Sequence, residues 1–193
     1  FADGTVCLAN EQTVGQGRKG RSFLSPKGMG VYLSYLLVPD EEEALFPASS
    51  FSTLTAYVCV AVSRAVSRVC GRTPDIKWVN DIYFRGKKIA GILTEAISSI
   101  ETGLVTDVII GVGFNFFITE FPIELQEKAG SLFEEKPAIS RNELIAEIWK
   151  CFYESEPDEL LYLYKQRSLV LGRQVTFSQK EISYKGVAKD VSD

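Results

Sequence analysis

One long amphipathic segment, bordered by short strand-like segments, is the feature that most limits how this chain can fold. Between Ser50 and Cys70 apolar residues recur at helical spacing, and Gly71 follows as a stop signal. The flanking apolar segments are shorter and are bounded by glycines or turns, which is typical of strands. The pattern therefore predicts a single long helix with strands on both sides of it in the sequence.

The remaining elements follow from the same kind of pattern. Ser140 and Glu143 form a capping box, which predicts a helix with a defined buried face. A second helix is predicted over residues 158–166. The buried face of the capped helix should contain Leu144, Ile145, Ile148, Trp149 and Phe152. Strands are predicted over residues 4–12, 31–38, 76–79, 82–84, 88–96, 105–118, 174–178 and 182–188.

The absence of histidine from all 193 residues excludes several kinds of catalytic site. No Ser-His-Asp or Cys-His nucleophile system, no H-E-x-x-H zinc site and no imidazole base can form. Catalysis would have to use carboxylates, Lys, Arg, amides and backbone donors. The length and the 46% hydrophobic content predict one domain of ordinary size, alone or with a small appendage.

Cysteine spacing and hydropathy indicate in which cellular compartment the protein resides. Cys7, Cys59, Cys70 and Cys151 are too widely spaced for a C-x-x-C pair, so we expect reduced structural thiols and a cytoplasmic protein. No uninterrupted apolar run reaches the roughly 18 residues of a membrane span, and no signal peptide opens the chain. We expect no membrane association, and we expect that the natural N-terminus lies upstream of Phe1.

A basic, glycine-punctuated stretch stands out in a chain of net charge −4. Residues 12–39 contain no Asp or Glu but carry Arg18, Lys19, Arg21 and Lys27. Backbone N–H groups and cations in one loop suit an anion such as a nucleotide phosphate. Because the chain has a net charge of −4 and this acid-free basic stretch is short, we expect no nucleic-acid binding by this chain. The alternative is a basic surface loop without a ligand.

This loop only superficially matches two phosphate-binding motifs. Residues 15–20 read G-x-G-x-x-G, and residues 15–22 nearly match a P-loop, with Arg21 in place of Lys. Both motifs need a helix directly after the glycines. Pro26, Gly28 and Gly30 disfavour that helix, so the Rossmann and Walker interpretations are rejected.

A second polar cluster lies on a predicted hairpin. Lys77, Asn80 and Asp81 fall within five residues, and the chain returns after Gly86 through Lys87 and Lys88. Side chains alternate along a strand, so the two lysines point to opposite faces. An inward-pointing lysine needs an anionic partner or loses its proton. That partner is either a ligand or an internal carboxylate, Glu95 or Asp81.

Five segments follow one another along the chain. They are Q-x-x-G-Q-G-R-K-G-R-S-F at 12–23, S-P-K-G-M-G-V-Y-L-S at 25–34, K-W-V-N-D-I at 77–82, K-I-A-G-I-L-x-E at 88–95 and G-V-G-F-N at 111–115. In this order they resemble the motifs of biotin protein ligases, whose usual forms are G-R-G-R-x-G-R, K-W-P-N-D, K-x-x-G-I-L-x-E and G-x-G-x-N. The resemblance covers about residues 5 to 190, and no single motif would suffice.

The resemblance implies both a fold and a reaction. It implies an α+β fold with a mixed, largely antiparallel sheet packed with helices, as the catalytic domain over residues 1–171. Residues 172–193 would begin a small, truncated SH3-like β domain. The implied reaction joins biotin to ATP as biotinyl-5′-AMP and then transfers biotin to a lysine of a biotin carboxyl carrier protein.

The resemblance also implies roles for individual residues. Lys88 and Arg18 would be catalytic, since they can offset the repulsion between the biotin carboxylate and the phosphates. The biotin contacts would be Gln12, Gln16, Gly17, Arg18, Lys88 and Gly91. The ATP contacts would be Arg18, Arg21, Phe23, Lys77, Asn80, Asp81 and Asn115. Mg²⁺ would accompany ATP near Asn80 and Asp81, without a firm ligand set.

Several departures from the family pattern and several alternatives stay open. Gln16 stands where Arg is usual, Val79 where Pro is usual, and Phe23 where Trp is common. The family's upstream Ser/Thr-rich biotin segment is not in this chain. A lipoate ligase, a biotin-sensing repressor with an additional DNA-binding domain and a noncatalytic binding protein are the alternatives. The sequence leaves a homodimer, the identity of the carrier and the order of the loop without ligand open.

Overall fold

Six antiparallel strands form the main sheet of the computed structural model, which describes residues 2–38, 51–98, 101, 105–179 and 182–191. The strands are β1 (Val6–Ala9), β2 (Val31–Leu37), β3 (Asp75–Lys77), β4 (Asp81–Phe84), β5 (Lys87–Ser98) and β6 (Val105–Phe114). Their order in the sheet is β1-β2-β6-β5-β4-β3. The predicted pairing of β4 with β5 as a hairpin is confirmed.

Four α-helices accompany this sheet within the described residues. They are α1 (Phe51–Cys70), α2 (Ile123–Gln126), α3 (Arg141–Glu154) and α4 (Pro157–Gln166). The helix α1 contacts β3, β4 and β5 as well as α3 and α4, so it is central to the core. The predicted α+β class, with an antiparallel sheet packed against helices, is therefore confirmed.

The core is formed between α1 and one face of the sheet. Val58, Val62 and Val66 of α1 are completely buried, and the strands bury Ile92 and Ile110 to the same degree. The side chain of Thr55 in α1 also donates to Thr94 of β5, at 2.9 Å. Because side chains alternate along a strand, the neighbours of these buried residues face the other side of the sheet.

Truncating Ile110 to alanine is expected to lower the free energy of unfolding by about 3 kcal/mol, because it removes buried methyl groups and leaves a cavity. Ile110 is 0% exposed at the middle of β6. The matched control is Ile109→Ala, since Ile109 points to the opposite face and is only partly buried. Urea unfolding at equilibrium measures both variants, and equal losses would contradict this assignment of the two faces.

Helix α3 confirms the predicted cap. The Ser140 hydroxyl accepts from the Glu143 N–H, and the Glu143 carboxylate accepts from the Ser140 N–H. Leu144, Ile148 and Phe152 are buried as predicted, whereas Ile145 and Trp149 are partly buried. Cys151 was missed as a buried member of this face. All four cysteines are described and are free, as expected.

Some predicted element boundaries were wrong. The strand predicted over 4–12 ends at Ala9, because the next residue, Asn10, turns into the loop and accepts from the Gly28 N–H. The strand predicted over 105–118 ends at Phe114, since Asn115 crosses to Ile89 by a main-chain hydrogen bond. The strand predicted over 76–79 is Asp75–Lys77. The short helix α2 was not predicted at all.

The C-terminal segment forms a hairpin of its own. Strands β7 (Gln174–Gln179) and β8 (Ile182–Val187) pair with each other as a separate two-stranded sheet. Both predicted strands are thus confirmed, while a domain boundary at 171/172 and an SH3-like domain stay predictions. The sequence also predicts a solvated turn at the acidic run 40–43, which lies outside the described residues.

Among the described residues, one helical stretch is long and apolar enough by composition to cross a membrane. It is Thr53–Cys70 of α1, and 61% of it is buried inside the protein. Its apolar residues pack against the sheet and α3, as expected for a core helix.

Candidate active site

A cavity of about 200 Å³ lies on the sheet face that points away from α1. Its floor contains glycines on adjacent strands: Gly91 of β5 lies opposite Gly113 of β6, and Gly111 lies opposite Leu93. A Cβ at Gly113 would stand 2.7 Å from the Phe23 ring. The glycines therefore leave room directly on the backbone for flat or extended groups.

The basic loop, residues 10–30 between β1 and β2, covers one side of this cavity and is closed by main-chain hydrogen bonds. The Gln12 N–H donates to Ser25, the Phe23 N–H donates to Gly15 and the Gly17 N–H donates to Arg21, at 3.1, 2.8 and 2.7 Å. A single 3-10 turn, Arg18–Gly20, follows Gly17. The long helix that a Rossmann or P-loop site requires is not formed here, in agreement with the rejection of both motifs.

The base of the loop is held by two side chains. The Tyr32 hydroxyl donates to the Pro26 carbonyl at 3.0 Å. Burial raises the pKa of Tyr32 to about 12, so the hydroxyl stays a neutral donor at physiological pH. Arg141, at the start of α3, donates to the Gly30 carbonyl at 3.1 Å and to the Asn10 side chain at 3.3 Å.

Two cations at the cavity already have internal partners. The Lys88 ammonium lies 2.5 Å from Oδ1 of Asp81, and their side chains are 31% and 26% exposed. Of the two carboxylates that the sequence left open as its partner, Asp81 is the one observed. Arg18 donates to the Asn80 side-chain oxygen at 3.3 Å, and the Asn80 amide donates to the Ile92 carbonyl at 2.9 Å.

These contacts give the adjacent Asn80 and Asp81 a shared geometry. Each presents one oxygen to one cation, so the start of β4 and the residue before it hold Arg18 and Lys88 next to the cavity. The contact between Arg18 and Asn80 is exposed, so an incoming anion can replace it at modest cost. In the pair of Lys88 and Asp81 the contacting carboxylate oxygen is buried, while the lysine side chain is partly exposed. The site can therefore present two positive charges to one or two anionic groups.

Under this ion pair lies a buried thiol. Cys59 of α1 is 0% exposed and donates weakly to the Val79 carbonyl at 3.6 Å. Burial raises the pKa of the Cys59 thiol, and the nearby Asp81 carboxylate raises it further. The thiol thus stays protonated and packs as a small apolar group, without a role as a nucleophile.

The structure brings most of the predicted site residues to this cavity. Those that line it are Gln12, Gln16, Gly17, Arg18, Phe23, Asn80, Lys88 and Gly91. Asp81 is adjacent through its contact with Lys88. Arg21 is exposed on the loop, and Lys77 is exposed on the edge strand β3, where its ammonium lies 3.4 Å from the Tyr83 hydroxyl. Arg21, Lys77 and Asn115 do not line the cavity, and all the assigned roles stay predictions.

Asn115 is buried at the end of β6, beside the segment 128–133. Its side-chain amide donates to the Gly130 carbonyl at 3.0 Å, and the side chain is 4% exposed. Its side-chain oxygen is buried and has no hydrogen-bond partner among the described residues. An unpaired buried acceptor is unfavourable.

A larger cavity, of about 710 Å³, lies along the same segment. Its walls include Arg85 and Lys87 from the β4–β5 turn, and Phe121, Glu127 and Phe133 from the region after β6. None of the predicted site residues lines it. The smaller cavity therefore remains the candidate active site, because the two paired cations and the glycine floor lie there.

Several lining residues were not assigned from the sequence. They are Val14, Leu33, Ser34, Ile92, Leu93, Glu95, Ile109, Gly111, Val112 and Gly113. The signal for two of them was present, because glycines two residues apart in a strand, Gly111 and Gly113, share one face. Ser34 could not be assigned without knowing the strand order, whereas Glu95 was considered only as a possible partner of the inward-pointing lysine.

Comparison with known proteins assigns the chain to a family. Residues 2–115, more than half of the chain, match the Biotin/lipoate A/B protein ligase family. The chain belongs to this family. The Bifunctional ligase/repressor BirA of Bacillus subtilis is 33% identical over 201 residues, covering 99% of the chain and 60% of that protein. The chain thus spans about 60% of the length of this relative.

Two further comparisons agree with the family assignment. The Biotin–[acetyl-CoA-carboxylase] ligase of Mycobacterium tuberculosis is 29% identical over 99% of the chain and 71% of that protein. The structure of the biotin protein ligase from Aquifex aeolicus in complex with biotin and ATP matches with a TM-score of 0.84. That match has 28% identity and covers 100% of the chain and 80% of the other protein. The fold of this family member is therefore that of a biotin protein ligase.

Proposed function

We propose that this chain is the catalytic part of a biotin protein ligase, which forms biotinyl-5′-AMP from biotin and ATP and transfers biotin to a lysine of a biotin carboxyl carrier protein. The observation that carries the proposal is the cavity in which Arg18 and Lys88 stand beside a glycine floor. Membership of the family and the relatives named for biotin ligation support it.

The first step joins two anions. A carboxylate oxygen of biotin attacks the α-phosphorus of ATP, the bond from that phosphorus to the bridging oxygen breaks, and pyrophosphate leaves. Two unit charges about 4 Å apart repel by about 4 kcal/mol at an effective dielectric of 20. Arg18 and Lys88 offset this repulsion, so catalysis rests on charge and positioning and needs no general base.

The extended part of biotin would lie along the cavity floor. Gly91 and Gly111 leave space there, and Leu93 adds an apolar wall. The carboxylate would then exchange for Asp81 as the partner of Lys88, while Arg18 would leave Asn80 for a phosphate. Gln12, Gln16 and Gly17, from the loop, would supply polar contacts to biotin.

The nucleotide would occupy the side of the cavity nearer to Phe23 and Asn115. The Phe23 ring lies over Gly113 and could stack on adenine once displaced. The orphaned oxygen of Asn115 would accept from the adenine amino group. Arg21 and Lys77 are exposed cations that do not line the cavity. They would contact the phosphates only if the loop moved, or if the nucleotide extended beyond the cavity.

Magnesium would enter as part of the ATP substrate. The described residues contain no group of three or more His, Cys, Asp or Glu that could hold a metal ion. Asn80 and Asp81 offer one oxygen each, and Mg²⁺ commonly uses one or two protein oxygens together with substrate phosphates. These two residues therefore fit a phosphate-bound ion and do not form a dedicated metal site.

The second step transfers the acyl group. The neutral amine of the carrier lysine attacks the acyl carbon of the adenylate, the bond from this carbon to the phosphate oxygen breaks, AMP leaves and one proton is lost. The basic loop, closed over the cavity, would shield the reactive anhydride from water. For the location of this activity we propose the cytoplasm, which agrees with the four free thiols.

Ligand-dependent stabilisation tests the proposal against the lipoate alternative. A ligand at 100 times its Kd stabilises the folded state by about 2.7 kcal/mol. Biotin, and more strongly biotin with MgATP, should therefore raise the melting temperature in a concentration-dependent way. Lipoate at the same concentrations serves as the control. Stabilisation by lipoate and not by biotin would reject the biotin ligase in favour of a lipoate ligase.

A further inference from the structure

Arg72 reaches the segment 128–133 from the outer side of the candidate active site. It follows α1, and its guanidinium donates to the main-chain carbonyl of Leu132. The guanidinium carbon lies 4.6 Å from the ring centre of Phe133 and 5.4 Å from that of Phe84. One planar cation thus holds a carbonyl and two aromatic rings at the same point, which suits arginine better than lysine.

The segment that Arg72 holds is joined directly to two site residues. The Lys88 N–H donates to Lys128, and the Gly130 N–H donates back to the Lys88 carbonyl, both at 2.9 Å. The Leu132 N–H donates to the Asn115 carbonyl at 2.9 Å, and the Asn115 side chain donates to Gly130. Leu132 therefore links the two residues: its N–H donates to Asn115, and its carbonyl accepts from Arg72.

We propose that Arg72 is a positioning residue for the nucleotide half of the site, an inference that rests on the proposed function. By fixing Leu132, it fixes the Gly130 carbonyl that orients the Asn115 amide. The orphaned oxygen of Asn115 then points in one direction before ATP arrives. Loss of Arg72 leaves this segment free to move and weakens the binding of ATP, while the glycine floor used by biotin stays in place.

Arg85 provides a matched control on the same surface. Its guanidinium carbon also lies near Phe84, at 5.3 Å from the ring centre. Its ion pair with Glu134, at 3.3 Å, is largely solvated, with side chains 68% and 81% exposed. Removing Arg85 thus removes an equal charge and a similar ring contact without removing the contact to Leu132.

Hydrogen exchange in the ligand-free protein tests the positioning directly. Arg72→Met should accelerate exchange of the Gly130, Leu132 and Phe133 amides on the order of tenfold, since these amides depend on the held segment. Arg85→Met should leave them within about twofold, and amides at the centre of β6 should not change in either variant. Unchanged exchange in Arg72→Met, or equal acceleration throughout the sheet, would overturn the proposal.

Steady-state kinetics of pyrophosphate release test the consequence for the reaction. Arg72→Met should raise the KM for ATP on the order of tenfold, with the KM for biotin within about twofold. Arg72→Lys, which keeps a donor but lacks the planar group, should fall between wild type and Arg72→Met. A parallel rise of both KM values would indicate a general structural role and reject the proposal.

Absence of pyrophosphate release from the wild-type protein would reject the proposed function instead. The hydrogen-exchange result would then still decide whether Arg72 positions the segment 128–133.

Discussion

Replacing Lys88 with alanine is expected to slow adenylate formation by on the order of a hundredfold to a thousandfold. The variant removes a cation at the point where two anions must meet. In the wild-type protein the Asp81 carboxylate lies 2.5 Å from the Lys88 ammonium. Without Lys88 this carboxylate is an uncompensated negative charge beside the same point. Single-turnover release of pyrophosphate from biotin and ATP measures the effect on the first step alone.

Two further variants separate these contributions. Lys87→Ala removes the neighbouring lysine, whose ammonium donates to the Gln126 carbonyl at 2.7 Å outside the cavity, and should change the rate by less than about threefold. Adding Asp81→Asn to Lys88→Ala removes the uncompensated charge and should recover part of the lost rate, roughly tenfold. Adenylate formation at the wild-type rate in Lys88→Ala would refute the role of Lys88.

The sequence predicted the elements that are formed by local patterns. The capping box at Ser140 and the hairpin around Gly86 each depend on a few neighbouring residues, so both were found. The ends of strands β1 and β6 depend on partners that are far away in the sequence, such as Gly28 for Asn10. Those ends were therefore misplaced, although the strands themselves were predicted.

The site shows the same division between local and distant information. The strand alternation showed that one of Lys87 and Lys88 needs an anion, and the family resemblance selected Lys88. The choice between Asp81 and Glu95 required the bulge in the β4–β5 pairing and its register. Arg72 and the segment 128–133 carry no recognisable pattern in the sequence, because they meet only through the folded chain. Physical reasoning thus identified a basic loop and an inward-pointing lysine, the resemblance assigned roles to individual residues, and the contacts that support them depended on topology.

Gly111→Val is expected to lower the affinity for biotin by on the order of a hundredfold or more, because Gly111 belongs to the glycine floor of the cavity. Gly111 lies opposite both Ser34 and Leu93 in the sheet. A Cβ there would meet the Leu93 carbonyl at 3.4 Å, a contact that the strand can tolerate. A valine side chain would then fill space inside a cavity of only about 200 Å³, where the ligand must lie.

A graded series separates this steric effect from a loss of folding. Gly111→Ala adds one carbon and should reduce the affinity less than Gly111→Val, while valine itself favours the strand conformation. Gly186→Val is a matched control, because its Cβ would meet nothing within 4 Å in the separate C-terminal hairpin. Isothermal titration with biotin gives the Kd, and urea unfolding gives the stability of each variant. Wild-type affinity in a stably folded Gly111→Val protein would show that the ligand lies elsewhere, because the added methyl groups cannot share the floor of this cavity with biotin.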